Sequence, residues 1–427
     1  MGMQESKEKK FIYTEREDLF DPNIYIHFYV KVTGNPKTDD LVKAVKAAFC
    51  ANESTMSKIV LEEDGSACYE RMEESGCRVF VTEKDWKTIV IENEKQAFRI
   101  YEGEMMRVFV ISSGQETGLF IMAHHLTGDG KSIAYFLEDT MRALAGKKLV
   151  FKPMNLVTDD LFPRNSELPF FYKLYAKRFN RRWNKNACNF NWEDYEKIHK
   201  TYWKNRSSNI VYRSFTVEEV NIIRKKAKTV GVSVNSFITT AFLGANPGNG
   251  CIGMAVDIRK DHNRAMSNQA SGISVDYHYS PRLSFEENAR IVHKKVHKKL
   301  DRPVMRWFIL RFLPLFEPTL LDSVLFAAYD LCQNRTSLKL AEVMEYKGEK
   351  TRELGVTNLG RLDIPDTYGD YGVKELLFIP PVVSYAKHIV GVATMKDGMR
   401  ISYHFMNDSD KEEEEKFFER AMEYLRI

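Results

Sequence analysis

Residues 117–135 read TGLFIMAHHLTGDGKSIAY, and this run constrains the fold more than any other stretch of the chain. Its first part is short and apolar, the pattern of a buried strand. Its last part opens a helix over 131–145, with Ile133, Phe136, Leu137 and Leu144 on one side and Gly146 as the stop. Between them, Gly128 and Gly130 permit a tight turn. Adjacent strand residues point to opposite faces, so His124 and His125 do not share one target. One faces a cavity and the other packs into the sheet. Asp129 stands at the helix start, where its carboxylate accepts backbone N–H groups. The same positive helix end disfavours imidazolium, which keeps a nearby histidine neutral and able to take a proton.

Other readings of these residues exist. Asp129 alone is equally well a helix cap, and a lone histidine is more often a satisfied buried group than a base. A zinc site fits poorly, because neighbouring strand histidines diverge and no third ligand is suitably spaced. Gly130-Lys131-Ser132 suggests a P-loop, but that motif needs a glycine where His125 stands.

The flanking chain alternates strands and helices. Strands are expected at 24–33, 57–62, 67–72, 78–82, 105–112 and 117–124, with a hairpin turn at Gly114-Gln115-Glu116 and a helix capped by Thr38 or Asp39 that runs to about Asn52. A second set follows: strands at 209–216, 251–258, 272–280, 353–358, 374–379 and 388–405, and helices at 217–230, 234–243 and 285–300. A final helix from Ser409 has Ser409 and Glu412 as a capping box. Residues 303–332 are very apolar but interrupted by Arg306, Arg311, Pro314, Glu317 and Pro318. They read as a buried or interfacial helical pair rather than a span, which needs roughly 20 apolar residues.

With 427 residues, the chain exceeds one typical domain. We expect a first lobe over 1–155, a basic aromatic crossover over 156–207, and a second lobe over 208–427. Each lobe mixes strands and helices, so the expected class is α/β, an α+β sandwich of two lobes. Residues 171–206 hold ten Lys/Arg and three acids, with Trp183, Trp192 and Trp203 interspersed. A solvated helix face with aromatic anchors in the core explains this best; nucleic acid, a phosphate group or a membrane surface are the alternatives. With 63 basic and 59 acidic residues, the whole chain is too nearly neutral for a general nucleic-acid binder. The six cysteines form no CxxC pair. The opening MGMQESKEKK lacks an apolar core and is not read as a secretory signal, and its polar context argues against myristoylation at Gly2. A cytoplasmic protein with reduced thiols is the expectation.

HHLTGDG resembles the HHxxxDG signature of the superfamily that joins chloramphenicol acetyltransferase to peptide-synthetase condensation domains. In style the chain is closest to the bacterial alcohol acetyltransferase-like proteins of that group. Val256-Asp257-Ile258-Arg259 resembles the strand whose arginine pairs with the motif aspartate. Val356-Thr357-Asn358-Leu359-Gly360 resembles the SNxG segment near the active site, with Thr357 in place of serine. The DFGWG segment of the plant enzymes is absent, which sets the chain apart from that branch.

The resemblance implies two similar lobes with a tunnel between them, open at both ends. It implies an acyl-CoA-dependent O- or N-acyltransferase, with acyl-CoA a co-substrate and no cofactor permanently bound. An acyl group on an acyl carrier protein is the second donor. A small alcohol or amine is the acceptor, and neither nucleic acid nor metal is involved. By resemblance, His125 is the general base, Asp129 pairs with Arg259 to fix the loop, and Asn358 donates to the carbonyl oxygen as it becomes negative. His124, Gly128, Gly130 and Arg259 support the site. A stand-alone condensation domain and a catalytically silent binding protein are the alternatives.

Overall fold

The strand Glu116–His124 explains the architecture of the first lobe. Leu119, Ile121 and Ala123 face one apolar layer, whereas Phe120 and Met122 face another. A sheet covered on both faces has no need of alternating polarity, so its strands read as continuous apolar runs. The computed structural model describes residues 9–113, 116–246, 248, 250–260, 264–347, 352–384 and 386–426. The Met1-Gly2 start and the turn expected at Gly114-Gln115 lie outside the described residues.

The first six-stranded sheet runs, in spatial order, Thr367–Tyr368, Tyr371–Ile379, Tyr25–Thr33, Glu116–His124, Met106–Ser113 and Arg78–Thr82. Helices Thr38–Cys50 and Gly130–Leu144 cover one face, where Phe49 and Phe136 stack at 5.3 Å. The second sheet runs Ala270–Asp276, Cys251–Asp257, Arg352–Arg361, Ala386–Met395, Gly398–Met406 and Ser208–Phe215. Helices Val217–Val230, Val234–Ala245, Phe285–Leu300 and Lys411–Leu425 supply apolar side chains to its core. A small sheet of Lys9–Phe11, Ala67–Arg71 and Ser57–Leu61 completes the strands among the described residues.

Two lobes of helix-backed sheet are thus present, but their strands are exchanged. Tyr371–Ile379 lies in the second half of the sequence and pairs antiparallel with Tyr25–Thr33, with Phe378 opposite Phe28. A division at 207/208 therefore does not separate the two sheets. The chain returns to the second sheet past Pro380, and there the sheets touch. The Ser402 hydroxyl donates to the Phe378 carbonyl at 2.6 Å. A Cβ on Gly391 would lie 2.5 Å from Pro380 Cδ and from Ser402 Oγ, so only glycine fits this crossing.

Two local expectations are corrected, and one helix was not foreseen. The last helix is capped by Asp410, whose carboxylate accepts from the Glu412 and Glu413 N–H groups; Ser409 instead meets His388 Nε2 at 3.2 Å. The first helix starts after Lys37, without a side-chain cap. Trp86–Asn93 is a helix that the β-branched run TIVI conceals, and Asp85 caps it by accepting from Lys87 and Thr88. Residues 303–332 form several short helices, of which Pro318–Ala328 is the longest. No helix among the described residues is long and apolar enough to cross a membrane.

Candidate active site

The HHLTGDG loop lies where the two lobes meet. The His124 N–H donates to the Met105 carbonyl and the His125 N–H to the Ile24 carbonyl, each at 3.1 Å. A 3-10 turn over His125–Thr127 then lifts the backbone off the sheet. Gly128 follows with φ of +144°. A Cβ there would stand 2.5 Å from Ser132 Cβ and 3.0 Å from the Ser267 nitrogen, so both conformation and space require glycine. Gly130 serves a different purpose from the expected turn. It begins the helix, and a Cβ on it would press within 2.8 Å of Leu359 Cδ2 and 3.1 Å of Phe378.

The two histidines diverge. His124 keeps to the face of Phe120 and Met122, fully buried against Tyr25 and Phe98. Its Nδ1 accepts from the Leu126 N–H at 3.2 Å. Burial, with the neighbouring His125 and His199, pushes its pKa down to about 3, so it stays neutral. His125 retains 18% side-chain exposure. Its Nδ1 is the buried edge and faces Asp18 Oδ2 at 3.5 Å. A carboxylate beside Nδ1 favours the tautomer with its proton there, which leaves the Nε2 lone pair for an incoming group.

The expectation that a helix end holds His125 neutral is corrected. Burial works to lower its pKa, but Asp18, then Asp129 and Glu17, oppose it, and the net shift is upward. Carboxylate charges close to the ring outweigh the partial charge of the helix end.

Asp129 is buried, and its N-cap role is one of several. Arg259 Nη1 donates to Oδ2 at 2.6 Å and Nη2 to Oδ1 at 2.8 Å, a two-pronged pair. The Gln269 and Ser132 N–H groups add bonds at 2.9 and 3.1 Å. Burial alone would raise the Asp129 pKa; Arg259 and these N–H groups overcome it and hold the pKa below the usual carboxylate range. The Arg259 pKa is in turn raised, burial notwithstanding, by the Asp129 charge.

Asn358 occupies the strand Arg352–Arg361, at the start of a register shift against Ala386–Met395. Its amide donates to Asn235 Oδ1 at 3.1 Å and its Oδ1 accepts from the Gly360 N–H at 2.8 Å. These bonds turn it towards the second lobe, and none goes to His125 or Asp129.

Sequence reasoning missed Asp18 and the segment Ser267–Gln269. Asn268 Nδ2 donates to Asp18 Oδ2 at 3.1 Å, next to the Gln269 bond to Asp129. The Ser132 hydroxyl donates to the Ser267 carbonyl at 2.9 Å. One loop of the second lobe therefore holds the partner of the imidazole and the anchor of the motif loop. Asp18 belongs to TERED at 14–18, and that charged run beside an apolar strand was the available signal. Glu15 in the same run is buried, and its pKa is pushed up to about 7 by burial and the Asp18 charge. Two surface cavities, of about 550 and 250 Å³, lie elsewhere: one beside Cys50 and Lys148, the other beside Tyr13 and Pro314.

No protein-family model matches the chain. It is 24% identical over 201 residues to the hybrid PKS-NRPS synthetase poxE of Penicillium oxalicum, a match that takes in 45% of this chain and 4% of the synthetase. Among solved structures, the TRI3 trichothecene 15-O-acetyltransferase of Fusarium sporotrichioides superposes with a TM-score of 0.69, covering 100% of this chain and 97% of that one at 12% identity. The condensation domain of the monacolin K polyketide synthase MokA gives 0.64, over 98% and 96% of the two chains at 12% identity. Polyketide synthase associated protein 5 of Mycobacterium tuberculosis gives 0.62 over 98% of each, again at 12%. The fold is shared with these condensation-domain and acetyltransferase structures, as the motif resemblance implied.

Proposed function

We propose that the protein is an acyltransferase that moves an acyl group from a thioester to an alcohol or amine. The observation that carries this reading is the His125 ring, with Nδ1 against Asp18 and an exposed remainder, on a loop fixed by Asp129 and Arg259. As an acceptor hydroxyl or amine attacks the thioester carbonyl, its proton passes to His125 Nε2. The tetrahedral adduct then collapses, the carbon–sulfur bond breaks, and the proton goes from Nε2 to the departing thiolate. General-base help of this kind contributes about 10²–10⁴ in rate. Asp18 holds the ring in the useful tautomer and stabilises the imidazolium formed on the way. Asp129 acts through the loop and carries no proton. Asn358 would need to swing from Asn235 to reach the developing oxyanion.

Acyl-CoA is the leading donor, as a co-substrate. The likeness to condensation domains favours a second donor, an acyl group on a carrier protein. Offering a panel of acyl-CoA thioesters and acylated carrier proteins with mixed alcohols and amines, and identifying products by mass spectrometry, tests both. An ester or amide formed from acyl-CoA supports the first donor, and one formed only from the carrier supports the second. The absence of both products from every pair would contradict the proposal.

A further inference from the structure

The helix Phe170–Trp183 has two unlike faces. Ala176, Phe179 and Trp183 are buried in the core, and the Trp183 indole N–H donates to the Thr319 hydroxyl at 2.9 Å. The opposite face is open to solvent. Lys173, Lys177, Arg178, Arg181 and Arg182 are all exposed on it, as is Lys185 just beyond. Residues 168–192 contain no Asp or Glu. Among the described residues, no carboxylate pairs with any of these six cations. Six like charges along one surface repel one another, and an external anionic partner relieves that repulsion.

The same face carries apolar groups at one end. Phe170, Phe171 and Leu174 are 70%, 59% and 52% exposed. Tyr172 extends this patch onto Phe308 and Phe312, with ring centroids at 5.2 and 5.6 Å. At 100° per residue, the exposed positions 170, 174, 177, 178 and 181 fall on one side of the helix axis, so the apolar turn and the cations present together.

We propose that this face is a docking surface for an anionic lipid bilayer. Phenylalanine and leucine at a cationic helix face enter the headgroup boundary, while lysine and arginine lie against acidic headgroups. A single-stranded nucleic acid calls for rings interleaved with cations so that bases stack. Here the exposed rings are segregated at the first turn, and Tyr175, Phe179 and Trp183 turn inward. The inference stands on this helix alone and is independent of the reaction at His125.

Sedimentation with vesicles tests it. The full chain is mixed with vesicles of phosphatidylcholine and phosphatidylserine in equal parts, or of phosphatidylcholine alone, at low and high salt. The intact protein is expected to sediment with the acidic vesicles only, and less so as salt rises. K177E/R181E and F170S/F171S, at exposed positions, should keep the unfolding temperature and each weaken binding about tenfold. Absence from acidic vesicles, equal binding to neutral ones, or undiminished binding by both variants would overturn the proposal. Binding of a single-stranded RNA oligonucleotide or an acidic carrier protein without binding of vesicles would overturn it as well.

Discussion

Asp18 Oδ2 stands 3.5 Å from His125 Nδ1, and Asn268 Nδ2 holds that same oxygen at 3.1 Å. Three segments distant in sequence thus converge on one edge of one imidazole. The charge of Asp18 is the chief influence opposing burial and raising the His125 pKa. A base must be unprotonated, so activity is expected to rise with pH through that elevated value. D18N removes the charge, which should move the acid limb of the kcat/KM profile to lower pH. It should also lower the plateau kcat about tenfold to a hundredfold, a share of the full general-base contribution, with little change in KM. An unmoved acid limb would show that Asp18 does not govern the ring.

The Asp129–Arg259 pair is buried, and removing one member leaves a charge without its partner. R259M should therefore lower stability by about 3–5 kcal/mol at pH 7, measured by urea denaturation. The folded-state Asp129 pKa is lowered, so the pair stabilises above the unfolded carboxylate pKa of about 3.9 and less as pH falls through the folded value. The gap between R259M and the wild type should accordingly narrow in acid. A gap independent of pH would argue that the arginine acts by packing.

Gly128 combines a φ of +144° with contacts that a methyl group would violate. G128A should lose about 1–3 kcal/mol from backbone strain alone. The displaced Ser132 and Ser267 should also loosen the motif loop, so activity should fall even at temperatures where the variant is folded. Circular dichroism alongside thiol release separates the two effects.

Glu15 is buried, and its pKa is raised to about 7. A carboxyl whose folded pKa exceeds its unfolded one withdraws stability as pH rises from the unfolded to the folded value. E15Q carries no such penalty. It should be more stable than the wild type at pH 8, by on the order of 3 kcal/mol at most in denaturant unfolding, and show little difference at pH 4. A constant offset between the two pH values would contradict the assignment.

Much of this was legible in the sequence because it is local. The apolar run before HHLTGDG, the glycines and the helix period each act within a few residues, and the structure places strand, 3-10 turn and helix there. The strand near 374–379 was readable as a strand, but its place beside Tyr25–Thr33 was not, since pairing between remote segments leaves no local mark. Asp18 escaped for the same reason: the charged run TERED stands out locally, but it carries no mark of the return of Asp18 to His125. The helix Trp86–Asn93 was hidden by its β-branched composition, which tertiary packing overrides. The final helix was misread by one residue, as Ser409 and Asp410 are both good caps and only the fold decides between them.

The most direct measurement is thiol release from a donor and acceptor pair that the wild type converts, repeated with H125A and H125Q. Both variants should fold, with kcat/KM lowered by about 10²–10⁴. Turnover equal to the wild type in both variants would contradict a proton-carrying role for His125, and with it the proposed chemistry.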